Sequence, residues 1–220
     1  MNKDNSYTPR SREDIARRLA QDIPDGWYVN LGIGVPTLAA NHVPEGREVI
    51  FHSENGILGI GPSPAEDEID PWLINAGKQH VTLNAGGSYF HHADSFMMIR
   101  GRHLDLCVLG AFEVSCGGDL ANWTRGLSKS APAVGGAMDL AIGAKSVWIA
   151  MDHQASNGTP KLMQSCSYPL TARSCVDRVY TDLAVLEPTG NSFRVIEMVE
   201  GMTFDELQSV TAAPLSISEL

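Results

Sequence analysis

Apolar positions recur at two periods along the chain, and their alternation sets the expected architecture. Ile15, Leu19 and Ile23 stand four residues apart behind Ser11, with Asp14 three residues after it. That spacing predicts a helix opened by a capping box and stopped by Pro24-Asp25-Gly26. Apolar runs read as strands over 27–31, 48–51, 80–83, 104–110, 146–151, 179–186 and 193–199. Helices are expected over 36–41, 95–99 and 137–142, the first favoured by Pro36 in its opening turn. Thr203 with Glu206 opens a last helix that turns Phe204, Leu207 and Val210 inward. Residues 86–94 read as loop, and Glu66-Asp67-Glu68 as a solvated face.

Strands and helices alternate, with glycine at the junctions. The pattern predicts an α/β fold: a single open, largely parallel sheet with flanking helices. One domain is expected over 11–214, between a frayed stretch at 1–10 and a tail at 215–220. At 220 residues the chain is long enough for one sizeable core.

Charge narrows the function. Asp and Glu number 26 against 16 Lys and Arg, a net charge of −10, which argues against nucleic acid and anionic membranes as partners. No apolar run is long enough to span a bilayer, and Met1-Asn2-Lys3-Asp4-Asn5-Ser6 lacks a signal-peptide core, so a cytoplasmic location is expected. Cys107, Cys116, Cys166 and Cys175 form no C-x-x-C pair and are expected to be free thiols. His91-His92-x-Asp94 superficially resembles a ligand set, but adjacent residues diverge on a helix, so no metal is expected. Gly32-Ile33-Gly34 lacks the third glycine of a dinucleotide fingerprint, and no Walker lysine follows.

The chemistry centres on Ser53-Glu54-Asn55-Gly56, which supports two readings. Asn-Gly between apolar runs signals a hairpin, with Glu54 a solvated turn residue. Alternatively, Glu54 stands at the carboxyl end of a strand, where ligand crevices open in α/β sheets.

The longer stretch Ser53-Glu54-Asn55-Gly56-Ile57-Leu58-Gly59-Ile60-Gly61-Pro62 resembles the active-site signature of the class I coenzyme A transferases, in their catalytic B (β) subunit. The likeness recurs in Asn30-Leu31-Gly32-Ile33-Gly34-Val35-Pro36-Thr37, Ile74-Asn75-Ala76-Gly77-Lys78, Gly86-Gly87-Ser88-Tyr89-Phe90, Gly118-Asp119-Leu120-Ala121-Asn122-Trp123 and Gly135-Gly136-Ala137-Met138-Asp139-Leu140. It runs from about Ser11 to Pro214. Ala131-Pro132-Ala133-Val134 and Phe90-His91-His92-Ala93-Asp94-Ser95-Phe96 point toward the members that act on 3-oxoadipate. Ser115-Cys116-Gly117 and Ser128-Lys129-Ser130 depart from the pattern.

The resemblance implies that Glu54 is a covalent nucleophile, carrying CoA from succinyl-CoA to 3-oxoadipate, or alternatively to acetoacetate, by ping-pong exchange through a glutamyl-CoA thioester. It implies coenzyme A as substrate and no permanently bound cofactor. Gly135, then Gly136, would offer backbone N–H groups to the oxyanion. Asn30, at the end of the first strand, would orient Glu54 or a substrate oxygen; Lys78 would meet the CoA phosphates, and Asn55, Gly56 and Ser88 would contact substrate. A homologous A (α) subunit would complete the site, in an α2β2 heterotetramer. Read without the family, the glycine pair is a helix entry turn, Lys78 a surface lysine, and Asn30 and His52 buried structural side chains. Two rivals compete: an isomerase or sensing module on a related α/β fold, and a non-catalytic partner protein in which Glu54→Gln would be silent.

Overall fold

The computed structural model describes residues 7–126 and 133–217. Helix α1 (Arg12–Asp22) starts with the expected capping box, Ser11 accepting from Asp14 N–H, and buries Ile15, Ala16, Leu19 and Ala20. There follow β1 (Tyr28–Leu31), α2 (Val35–Leu38) with a 3-10 turn (Ala39–His42), β2 (Ile50–Ser53), β3 (Ile57–Ile60) and β4 (Leu83–Tyr89). Next come α3 (His92–Arg100), β5 (Leu106–Leu109), β6 (Glu113–Ser115), β7 (Leu120–Ala121), α4 (Ala137–Gly143), β8 (Ser146–Ala150) and β9 (Leu162–Met163). The chain closes with β10 (Arg178–Tyr180), β11 (Ala184–Pro188), β12 (Phe193–Met198), α5 (Phe204–Ser209) and β13 (Leu215–Ile217).

Ten strands form one open sheet in the order β13-β12-β11-β10-β8-β5-β1-β2-β3-β4, and β7-β6-β9 form a small second sheet. The centre, β10-β8-β5-β1-β2, is parallel. The wings β3-β4 and β11-β12 are antiparallel. This is the expected α/β fold, an open and mostly parallel sheet with flanking helices. Its central strands are buried on both faces, which is why they read as unbroken apolar runs. Leu106, Val108 and Trp148 pack with α1 residues Ile15 and Leu19 on one face. Cys107, Val147 and Ile149 pack with Ile99 of α3 and Leu140 of α4 on the other. The side-chain period of two sends alternate residues to opposite cores.

Several expectations need correction; the strand expected over 80–83 begins only at Leu83. The stretch expected to be loop, 86–94, is mostly regular: 86–89 lie in β4, paired antiparallel with β3 through Leu58↔Ser88 and Ile57↔Tyr89, and 92–94 open α3. Its Ala85-Gly86-Gly87 has little strand propensity, so pairing with β3 decides the conformation. The expected single strand over 179–186 is a hairpin. Thr181 Oγ accepts from the N–H groups of Leu183 (3.1 Å) and Ala184 (2.9 Å), so a side chain closes the turn between β10 and β11. Among the described residues, contacts run past both expected domain boundaries. Arg10 N–H donates to Asp182 O at 2.8 Å and its guanidinium pairs with Glu197. Leu215↔Phe193 begins a parallel pairing of β13 with β12, beyond the expected boundary at Pro214. The remainder of the expected frayed stretch and tail lies outside the described residues.

Candidate active site

The two readings of the Glu54 stretch turn out to be one structure. β2 runs parallel to β1 and antiparallel to β3, so its carboxyl end is also the turn of a hairpin. Gly56 N–H donates to Ser53 O at 3.0 Å. Gly56 has φ +116°, and a Cβ there would fall 2.1 Å from Phe90 O. No side chain fits at that position. Asn55 Nδ2 donates to Ile74 O (2.8 Å), and Ser53 Oγ accepts from Ala76 N–H (2.9 Å). These bonds pin the excursion over 61–82 against the hairpin.

In-register pairing places His52, Asn30 and Cys107 side by side across β2, β1 and β5. The row faces α3. Asn30 is fully buried, and its Nδ2 donates to Glu54 Oε2 (3.2 Å) and His52 O (3.2 Å), with His52 Nδ1 at 3.1 Å. His52 Nε2 lies 2.9 Å from Ser95 Oγ of α3. Burial pushes the His52 pKa down to about 4, so the ring is neutral at physiological pH. A neutral ring that donates from Nε2 to Ser95 accepts at Nδ1, and this holds the Asn30 amide with its NH2 toward Glu54. Burial pushes the Cys107 thiol well up, and the Glu54 charge adds to the shift.

Glu54 is half-buried on the wall between two hollows. The first, of ≈ 200 Å³, is lined by Ile33, Ser53, Asn75 and Gly77 among others. The second, of ≈ 510 Å³, is lined by Phe112, Asn122, Gly135 and Gly136. Gly32, Ile33 and Glu54 belong to both. The fold therefore gathers Glu54, Asn30, Gly135 and Gly136 from separate segments of the chain. Gly135 has φ +58° and open space where a Cβ would stand.

The other expected contacts fare differently. Asn55 is exposed and anchors the 61–82 excursion, while Gly56 is buried in the hairpin turn. Lys78 is exposed with φ 64° and lines neither hollow, although its neighbours Gly77 and Gln79 line the first. Ser88 lies exposed on β4, at the edge of the sheet, and lines neither hollow. His91 caps α3, accepting from Ala93 N–H, and His92 Nδ1 donates to Glu54 O at 2.9 Å. Among the described residues no three His, Cys, Asp or Glu side chains converge to hold a metal. Ser128-Lys129-Ser130 and Ala131-Pro132 lie outside the described residues.

Sequence reasoning missed the Ser95–His52–Asn30 chain, because its members lie on three separate elements. It also missed Asn122, whose Nδ2 donates to Gly110 O at 3.1 Å on the wall of the second hollow. The motif Gly118-Asp119-Leu120-Ala121-Asn122-Trp123 had marked the segment without giving it a role.

Residues 12–209 match the family model described as coenzyme A transferase. The chain is 60% identical over 205 residues to the B subunit of 3-oxoadipate CoA-transferase from Pseudomonas putida, covering 93% of this chain and 96% of the relative. The chain belongs to the coenzyme A transferase family. It is also 48% identical over 206 residues to the B subunit of succinyl-CoA:3-ketoacid coenzyme A transferase from Helicobacter pylori, covering 94% of this chain and 99% of that one. The fold matches an acyl-CoA transferase apoenzyme from Escherichia coli O157:H7 with a TM-score of 0.72 at 18% identity, over 95% of this chain and 42% of the larger one. Both sequence relatives are thus B subunits of CoA transferases, alike to this chain over nearly its whole length. Among the described residues no helix is long and apolar enough to cross a membrane.

Two buried histidines give this transferase a pH signature. His153 sits with Nδ1 at 3.0 Å from Thr181 Oγ and Nε2 at 2.8 Å from Thr211 Oγ, and burial pushes its pKa down to about 4, as for His52. The unfolded chain binds protons at these sites near pH 6.5, the folded chain only near pH 4, so their contribution is complete above pH ~6.5 and fades toward pH ~4. Urea midpoints measured from pH 7 to 4.5 should fall, and His153→Gln should flatten the fall. A midpoint rising on acidification would contradict both shifts.

Proposed function

We propose that the chain is the catalytic B subunit of a 3-oxoacid CoA-transferase that moves CoA from succinyl-CoA to 3-oxoadipate. The observation that carries this reading is the Glu54 carboxylate, held by buried Asn30 on a wall of the hollow that Gly135 and Gly136 also line. A carboxylate needs no general base to attack. Glu54 adds to the acyl carbonyl of succinyl-CoA and expels CoA thiolate, leaving a mixed anhydride. The thiolate then attacks the glutamyl carbonyl, succinate departs, and Glu54 carries CoA as a thioester. The acceptor carboxylate reverses both steps, and 3-oxoadipyl-CoA leaves with Glu54 regenerated. Backbone N–H groups of Gly135 and Gly136 serve the oxyanion, and binding of the CoA tail offsets the unfavourable first attack. Coenzyme A is a substrate here, and no resident cofactor takes part.

The anhydride must be kept from water. Ile33, shared by both hollows, is 74% exposed, and Trp72 on the 61–82 excursion is 92% exposed. An apolar side chain as exposed as Ile33 beside a reaction centre calls for cover. A homologous A subunit provides it in this reading, within an α2β2 heterotetramer in the cytoplasm. Acetoacetate is the second acceptor to consider, since the Helicobacter relative's name specifies only a 3-ketoacid. The 3-oxoadipate reading rests on the higher identity to the Pseudomonas one.

Intact-mass analysis of the assembled enzyme with succinyl-CoA and no acceptor tests the reaction class. The expected result is a gain of one coenzyme A less one water, mapping to Glu54. No adduct, or one on another residue, overturns the proposal. Relative rates with 3-oxoadipate and acetoacetate then decide the acceptor.

A further inference from the structure

Helix α3 lies against both the Glu54 hairpin and the glycine pair that opens α4. On a helix, positions four apart stack along one face, so His92, Phe96 and Arg100 form a stripe. The stripe is continuous. The His92 and Phe96 ring centroids stand 4.8 Å apart, and the Arg100 guanidinium lies 5.5 Å from the Phe96 centroid. Ser95 and Ile99 are fully buried on the adjoining face.

The first turn of α3 holds the hairpin. His92 Nδ1 donates to Glu54 O at 2.9 Å, a bond to the backbone of the reacting residue itself. Ser95 Oγ meets His52 Nε2 at 2.9 Å, three positions further along. The rest of the helix holds α4, whose N-cap is Gly136. A Cβ on Gly136 would fall 3.0 Å from the tip of the Phe96 ring, so the glycine backbone rests on that ring. Arg100 takes both oxygens of Asp139, Nε to Oδ1 at 2.7 Å and a terminal nitrogen to Oδ2 at 3.2 Å. A Cβ on Gly143 would fall 2.3 Å from Ile99 O, so the two helices approach backbone to backbone. Hairpin and α4 are each tied to α3 at more than one point.

We propose that His92 and Phe96 are positioning residues that set the span between the Glu54 carboxylate and the backbone N–H groups of Gly135 and Gly136. The inference rests on the CoA-transferase reading above and deepens it. In that reading the glycine N–H groups must meet an oxyanion formed beside Glu54, and such donors act at about 2.7–3.1 Å. A misplacement of about 1 Å can cost about 10²-fold in rate. Gly135 and Gly136 carry no side chains of their own to fix them, and Gly135 has open space where a Cβ would stand. The Phe96 ring supplies the constraint at Gly136, and the His92 bond supplies it at Glu54. Close-packed contacts pass a shift at one end of the stripe to the other. Neither His92 nor Phe96 lines either hollow, so both act through Glu54 and Gly136 and not through substrate.

Steady-state kinetics of the enzyme assembled with its partner test the assignment. Phe96→Ala and His92→Leu should each lower kcat for CoA transfer about tenfold or more, while KM for succinyl-CoA and 3-oxoadipate stays within about threefold. His92→Asn, whose amide can donate to Glu54 O from the place of Nδ1, should recover most of the lost kcat. Leu207→Val, in the core under α5, controls for stability: it should lower the urea midpoint and leave kcat unchanged. Unchanged kcat in both α3 variants, a rise in KM alone, or an equal loss of kcat in Leu207→Val overturns the assignment. If wild-type enzyme forms no Glu54 adduct with succinyl-CoA, the functional reading falls instead. Amide hydrogen exchange then decides the coupling by itself. Faster exchange over 135–140 in Phe96→Ala and over 53–57 in His92→Leu supports it, and unchanged exchange overturns it.

Discussion

Replacing Glu54 with alanine is expected to lower CoA transfer by at least about 10⁴-fold in the assembled enzyme while leaving the fold intact. The size follows from the chemistry. In the proposed mechanism, removing the carboxylate removes the anhydride, the enzyme-bound thioester and the covalent route between donor and acceptor. The intact fold follows from the geometry. Glu54 is half-buried, and the hydrogen bond it gives up, from Asn30, is one of several that Asn30 makes. In the variant Asn30 Nδ2 keeps His52 O and His52 Nδ1 within 3.2 Å, so no buried amide is orphaned. The unfolding free energy should change by less than about 1 kcal/mol. Initial rates with succinyl-CoA and 3-oxoadipate, read beside a urea curve, check both halves. Transfer within tenfold of wild type would end the nucleophile assignment. A collapsed urea curve would show that the side chain also carries structure.

Gly56→Ala should produce the opposite pattern, a large loss of stability with loss of activity following from it. Two effects add at this residue. The backbone sits at φ +116°, where L residues are strained, and the new Cβ would lie 2.1 Å from Phe90 O. Phe90 cannot retreat freely, because its N–H donates to Gly56 O at 3.0 Å and α3 begins two residues later. A destabilisation of about 3–5 kcal/mol is expected, at the upper end of single-substitution effects. Gly135→Ala is the comparison. It too has positive φ, +58°, but nothing lies within 4 Å of the added carbon. Its stability should drop by only about 1 kcal/mol. Urea midpoints for the two variants should therefore differ clearly. Equal midpoints would mean that the Phe90 contact relaxes easily.

What the sequence made legible was local. Both capping boxes, Ser11 with Asp14 and Thr203 with Glu206, form as read, because a cap needs only residues three positions apart. The central strands were legible because burial on both faces leaves them uniformly apolar. β4 was not, since it lies at the sheet edge with Ala85-Gly86-Gly87 in its middle and owes its shape to β3. The β10–β11 hairpin hid inside one apolar run, because its turn is closed by the Thr181 hydroxyl with no glycine or proline to mark it. At the site, Glu54 and the glycine pair were visible through family likeness. The Ser95–His52–Asn30 chain was not, since it depends on the register between β1 and β2 and on where α3 docks.

The buried sulfurs bear on chemoselectivity. A protein that handles activated acyl groups risks losing them to its own thiols, which compete well with a carboxylate once ionised. All four cysteines are free, and burial raises each thiol's pKa, to about 12 for Cys166 and Cys175. Cys107 lies directly behind Asn30, where the field of the reacting carboxylate helps keep its proton in place. In the proposed reaction, thiols held protonated in this way would be poor rivals to the CoA thiolate for activated acyl groups.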